Sequence, residues 1–88
     1  MRVVNCKKES YTVYIGRPSR LGNPFIIGKD GTREQVVIKF KHYAVNNPDI
    51  RRMIMELKED DVLGCFCHPE DCHGNAIMEL WKDLTDTT

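Results

Sequence analysis

Three thiols and two imidazoles crowd into the stretch Cys65-Phe66-Cys67-His68-Pro69-Glu70-Asp71-Cys72-His73-Gly74-Asn75. Residues of these types support three kinds of chemistry. Cys65, Cys67, Cys72 and His73, or His68 in its place, make up the ligand inventory of a zinc site. The spacing suits it poorly, because structural zinc usually draws on C-x-x-C knuckles and adjacent Cys72 and His73 do not easily reach one tetrahedral ion. Cys72 is also a candidate nucleophile with His73 or His68 as its partner, although sequence neighbours seldom form a nucleophile–base pair. The third kind is anion binding. Asp71 reads as a helix N-cap, which puts Cys72, His73 and Gly74 in a first turn, where free N–H groups and the helix dipole favour negative charge. That field would lower the Cys72 thiol toward a thiolate and hold His73 neutral. Cysteine is equally a small buried hydrophobe, and Cys6 and one of the Cys65/Cys67 pair fit that packing role.

The second segment suited to chemistry is Gly16-Arg17-Pro18-Ser19-Arg20-Leu21-Gly22-Asn23-Pro24-Phe25. Glycines let backbone N–H groups approach an anion, and Arg17 and Arg20 offer guanidinium forks suited to phosphate or carboxylate. Asn23 adds an amide able to read a base or a ribose. The segment matches neither the P-loop nor the dinucleotide fingerprint, so a rigid loop with solvated arginines is the competing reading.

Both segments need a scaffold that brings them together. Val3-Val4-Asn5-Cys6 and Thr12-Val13-Tyr14-Ile15 are β-branched and aromatic runs that read as two strands, which a hairpin could join across Lys8-Glu9-Ser10. Residues 28–31 form a turn signal. Thr32-Arg33-Glu34-Gln35 fits a capping box, and Val36, Val37, Phe40, Tyr43 and Ala44 follow at helical spacing. Asn47-Pro48 starts a second helix, with Ile50, Met53, Ile54 and Leu57 on its buried face. Val62-Leu63-Gly64-Cys65-Phe66-Cys67 is an uncharged strand-length run that suits burial on both faces. A last helix places Ile77, Leu80, Trp81 and Leu84 inward, and the tail from Thr85 to Thr88 reads as frayed. The order ββααβα predicts one small α/β domain over residues 1–88, about three strands packed with three helices. Ligands of such folds bind beyond the carboxyl ends of the strands, where both segments would meet.

The balance of 13 basic and 13 acidic residues in 88 leaves no net charge. It argues against a broad basic nucleic-acid footprint, although a local patch can survive it. No apolar run approaches the roughly 18–20 residues that cross a bilayer, and the first residues lack the apolar stretch of a signal peptide. The expectation is a cytoplasmic protein with reduced thiols and no membrane partner. A sheet this small leaves edges to cover, so self-association into a homo-oligomer is a further expectation.

Taken together, Asn5, the string Tyr14-Ile15-Gly16-Arg17-Pro18-Ser19, Gly22-Asn23-Pro24-Phe25, Gly31-Thr32-Arg33-Glu34 and Gly64-Cys65-Phe66-Cys67 with Pro69 and Cys72-His73-Gly74 resemble one family. It is the small bacterial and phage family known as domain of unknown function 4326, and the resemblance spans about residues 3–82. Phe66 stands where the common pattern has tryptophan, and Asn75 where it often has aspartate. The resemblance implies a stand-alone or fused α/β domain, often phage-encoded and then working in the host cytosol.

The leading expectation is a binding domain for a small phosphate-bearing, nucleotide-like ligand, one that sequesters or processes a host nucleotide signal. Its candidate ligand-binding residues are Asn5, Tyr14, Gly16, Arg17, Ser19, Arg20, Gly22, Asn23, Phe25, Cys72, His73, Gly74 and Asn75, with Tyr14 or Phe25 stacking on a base. The alternatives are a hydrolase or transferase acting on a nucleotide or nucleoside through Cys72 or His73, and a zinc domain built on Cys65, Cys67, Cys72 and His73. No cofactor is favoured. The zinc alternative predicts near one metal per chain in elemental analysis of protein purified without chelator, and a folded metal-free protein ends it.

Overall fold

The structure, a computed structural model, describes residues 1–66 and 73–86. Within them the chain runs β1 (Arg2–Asn5), β2 (Val13–Tyr14), α1 (Arg33–Val45), α2 (Pro48–Met55), β3 (Val62–Cys65) and α3 (His73–Thr85). This is the ββααβα order and the α/β class expected from sequence.

The sheet has the order β1-β3-β2, and both outer strands run parallel to β3. Val4 and Tyr14 flank Gly64 from the two sides. The expected hairpin between β1 and β2 is therefore corrected: these strands never pair, and residues 6–12 carry the chain from one sheet edge to the other. Asn5 begins that crossover. Its side-chain carbonyl accepts from the Lys7 N–H at 2.9 Å, and its backbone carbonyl accepts from Lys8 and Glu9 at 3.0 Å each. Parallel crossovers usually hold a dozen residues or more; this one is short because it lies flat across β3. Gly64 makes the room, since a Cβ there would sit 2.6 Å from Cγ of Tyr11. The crossover ends at Thr12, whose hydroxyl donates to Asp61 Oδ1 at 2.9 Å and accepts from the Val62 N–H at 2.8 Å. The Lys58 N–H, 2.8 Å from Asp61 Oδ2, holds that carboxyl below its ordinary 3.8 against partial desolvation, and the Thr12 hydroxyl adds to the effect.

Alternation along the strands separates two faces. Val3, Leu63 and Cys65 point to the helices and join Ile15, Phe40, Ile54 and Ile77 in the core. Val4, Gly64 and Tyr14 lie on the opposite face, under the crossover. Leu63, Gly64 and Cys65 of β3 are thus buried, but the expected run to Cys67 is too long: the strand ends at Cys65, Phe66 beyond it is exposed, and Cys67 lies outside the described residues.

Helix ends follow the sequence closely. Thr32 and Gln35 form the reciprocal capping box, Gln35 N–H to Thr32 Oγ1 at 3.2 Å and Thr32 N–H to Gln35 Oε1 at 2.8 Å. Asn47 caps α2 through the Asp49 and Ile50 N–H groups, with Pro48 in the first turn. Val36, Phe40, Ala44, Ile50, Ile54, Ile77 and Leu80 are buried as the stripes require. Leu57 lies beyond α2 but still packs on the core, and its carbonyl accepts from the Trp81 indole at 2.8 Å. Thr85, expected in a frayed tail, is instead the last residue of α3 and donates to the Trp81 carbonyl at 2.6 Å. The Asp71 cap lies outside the described residues. No helix among the described residues is long and apolar enough to cross a membrane.

The dependence of the crossover on a missing side chain yields a stability prediction. Gly64→Ala should cost about 1–3 kcal/mol in urea unfolding, because its methyl group meets the root of the Tyr11 side chain rather than a flexible tip. Combined with Tyr11→Ala, the cost should be clearly less than additive.

Candidate functional site

Because all three strands are parallel, their carboxyl ends open on one edge of the sheet. The loop after β2, the end of β3 and the first turns of α1 and α3 converge there around a cavity of about 310 Å³. Its described lining is Gly16, Arg17, Asn23, Phe25, Ile26, Ile27, Arg33, Val36, Val37, Cys65, Phe66 and His73. The charged residues of that described lining are Arg17 and Arg33, and the lining includes no Asp or Glu.

The 16–25 loop is held by its own backbone. Ser19 N–H donates to Gly16 O and Gly22 N–H to Ser19 O, each at 2.9 Å, while the Ser19 hydroxyl accepts from Leu21 at 3.1 Å. The Arg17–Pro18 peptide is cis, and the Tyr14 hydroxyl donates to Arg17 O at 2.8 Å. Gly22 has no space for a side chain: a Cβ would lie 2.9 Å from Ser19 O and 3.0 Å from Gly16 O, both backbone atoms. Asn23 fastens the loop to α1, donating from Nδ2 to Val36 O at 3.0 Å and accepting at Oδ1 from the Phe25 N–H at 2.9 Å. Leu21 is buried as an apolar anchor. These bonds leave the Arg17 side chain exposed at the cavity rim, with no carboxylate partner among the described residues.

His73 forms part of the cavity wall from the first turn of α3. It is 6% exposed, its ring meets Phe40 edge-on at 5.0 Å, and Nε2 lies 2.6 Å from the Ile15 carbonyl. A carbonyl only accepts, so Nε2 carries the proton in this contact. Burial pushes the imidazole below its ordinary 6.5, and the Arg17 charge adds to that. Hydrogen bonding to the Ile15 and Leu21 backbone opposes the shift without overcoming it. His73 is thus neutral at pH 7, as expected from the sequence, but burial rather than the helix field is the main cause.

The family model described as Domain of unknown function (DUF4326) matches residues 2–83. The chain belongs to this family. Among curated proteins it is 35% identical over 87 residues to an uncharacterized 12.4 kDa protein from the nrdA–td intergenic region of Enterobacteria phage T4, covering 94% of this chain and 79% of that protein. It is also 34% identical over 88 residues to an uncharacterized protein of Acanthamoeba polyphaga mimivirus, covering 80% of this chain and 66% of the relative. No solved structure matches the chain. The family match contains every described residue that lines the cavity, which therefore lies within the DUF4326 domain.

Of the residues singled out from sequence, the DUF4326 fold brings Gly16, Arg17, Asn23, Phe25 and His73 to one cavity. Others have different surroundings. Arg20 turns to Asp49 in the first turn of α2 at 3.4 Å. Asn5 and Ser19 shape turns, and Gly22 lets the loop close on itself. Tyr14 lies with Tyr11 and Phe66 on the outer sheet face, where partial burial and the neighbouring Cys6 and Tyr11 raise its phenol above the ordinary 10.0. Gly74 is buried where α3 closes on the sheet, its would-be Cβ 2.8 Å from Val3 Cγ2. Asn75 faces a shallow groove between α1 and α3. Cys65 is a core thiol, whereas Cys67, His68 and Cys72 lie outside the described residues. Among the described residues, no group of three His, Cys, Asp or Glu side chains could hold a metal. The apolar wall of Ile26, Ile27, Val36, Val37 and Phe66, and the second cation Arg33, are new from the structure. The adjacent isoleucines beside a turn were the available signal for part of that wall.

Two measurements test this construction. Asn23→Ala should lose about 1–2 kcal/mol of stability, through two hydrogen bonds whose backbone partners are partly buried. His73 has a folded-state pKa below its unfolded value, so its contribution is fully present above about pH 6.5. It declines as pH falls below that, by up to about 1.4 kcal/mol per pH unit until the folded value is reached. Urea midpoints at pH 7.5, 6.5 and 5.5 should show this decline in the wild type. His73→Gln, which keeps an N–H donor but does not titrate, should start lower and lose that part of the slope.

Proposed function

We propose that this DUF4326 domain binds a small phosphate-bearing, nucleotide-like molecule in the cavity at the carboxyl edge of its sheet. One observation carries the reading. Two arginines supply the charge of the described lining, and the same cavity is lined by the apolar side chains of Phe25, Ile27, Val36 and Phe66. An anionic group joined to a flat apolar body matches that division. The amino ends of α1 and α3 add positive dipole ends on the same side. Arg17 offers a fork to phosphate from the rim, and the backbone-fastened loop fixes its position. A volume of about 310 Å³ lies at the low end of small-molecule sites and favours one nucleotide unit over a dinucleotide.

The turnover reading through Cys72 or His73 is less well supported, because Nε2 of His73 is engaged with Ile15 and the ring is packed on Phe40. Binding without chemistry suits such a residue better. The relationship to a phage protein accords with a domain that acts in the cytoplasm of an infected host and sequesters a nucleotide there.

Isothermal titration against nucleoside mono- and diphosphates and ADP-ribose tests the proposal. At least one should bind the wild type, and Arg17→Ala should weaken it by about tenfold or more, the effect of one charge-assisted contact. No heat of binding across the panel, or an unchanged affinity in Arg17→Ala, overturns it.

A further inference from the structure

Among the described residues, the outer face of the sheet is covered by the crossover rather than by a helix. It carries three aromatic rings in a row. Tyr11 and Tyr14 have centroids 6.0 Å apart at 44°, and Tyr14 and Phe66 have centroids 6.0 Å apart at 86°. The Tyr11–Tyr14 pair is tilted and the Tyr14–Phe66 pair is edge-to-face, so neither is a parallel stack. Two of them are well exposed, Tyr11 at 43% and Phe66 at 53%. Large apolar side chains seldom sit adjacent on a surface without a partner.

Three cations lie beside the row, while the nearby acids Glu9 and Asp61 are bonded to Arg2 and to Thr12. Lys7 places Nζ 5.5 Å above the Phe66 ring, Lys8 follows it in the crossover, and Arg17 accepts the Tyr14 hydroxyl at its backbone. None of these three cations has a carboxylate partner among the described residues. The crossover's one acid, Glu9, pairs with Arg2 at 3.5 Å. A neutral chain thus presents a local patch that is aromatic and basic at once.

We infer that this face is a stacking platform for single-stranded nucleic acid. Bases offer flat π surfaces to Tyr11 and Phe66, and the phosphates between them answer Lys7, Lys8 and Arg17; such pairing is tolerant of sequence. The exposed contact between Lys7 and Phe66 is weak, so a base can take the ring face while the ammonium moves to a phosphate. The platform goes beyond the cavity but adjoins it: Arg17 and Phe66 line the cavity too, whereas Tyr11, Lys7 and Lys8 line none of it.

Fluorescence anisotropy with fluorescein-labelled decathymidylate tests the inference. The wild type should bind at low salt, with a log–log salt slope of about −2 for three phosphate contacts on a single strand. Phe66→Leu and Tyr11→Leu should each weaken binding at least about fivefold with melting temperatures near wild type, since leucine keeps the apolar cover and removes the π face. Lys7→Glu should weaken binding and flatten the salt slope. Absence of binding at low salt, or wild-type affinity in both Phe66→Leu and Lys7→Glu, overturns the inference. So does a stable dimer in light scattering that Phe66→Leu dissolves, which gives the face to a second copy of the chain. Tyr11→Leu and Lys7→Glu should leave any mononucleotide titration unchanged, so failure of the platform and failure of the cavity reading are told apart.

Discussion

Both outer strands take their ladder hydrogen bonds from one four-residue strand, β3, and both run parallel to it. Parallel pairing forces the chain to return to the opposite edge of the sheet after each strand. It does so twice, by different means. Between β2 and β3 it returns through α1 and α2, which together with α3 build the core on one face of the sheet. Between β1 and β2 it returns through seven residues that lie across the other face, where Gly64 gives them room. One face therefore becomes a deep core while the other remains thinly covered and aromatic. The same constraint brings the loop after β2 and the start of α3 to a common edge, where the cavity forms. Phe66, just past the end of β3, belongs to both places.

The edge is rigid because its polar groups are spent on one another. Ser19, Asn23 and His73 are residues suited to touching a ligand, yet each is occupied in holding backbone. Buried polar groups are costly unless bonded, and in a domain this small such bonds substitute for apolar core. What remains outward after this bonding is Arg17. Its charge reaches inward as well, helping to keep the His73 ring neutral. Fold and candidate site are thus coupled through one residue at the rim and one in the wall.

The sequence made the helices legible because their signals are local. Thr32 with Gln35, Asn47 with Pro48, and the stripes through Phe40, Ile54 and Ile77 each occupy a few turns of chain. Strand pairing is not local, and nothing between Cys6 and Thr12 reveals that β3, some fifty residues later, will come between β1 and β2. Gly64 and Gly74 were open to several readings, since a glycine that admits a ligand and one that admits a neighbouring side chain look alike. Of the site, Arg17 and the general location were readable from composition and topology. The apolar wall was not, because Val36 and Val37 also satisfy the period of a buried helix face. Asn23 was readable as polar and loop-bound, but its two backbone partners, Val36 and Phe25, appear only once α1 has packed.

The contact between Trp81 and Leu57 has a spectroscopic consequence. Trp81 is the only tryptophan in the chain, and its indole N–H is bonded to the carbonyl just beyond α2. At 1.5 Å of rise per residue it stands about 12 Å along α3 from His73 and the cavity wall. Its emission therefore reports the parting of α3 from α2. The domain carries a built-in fluorophore for its own folding.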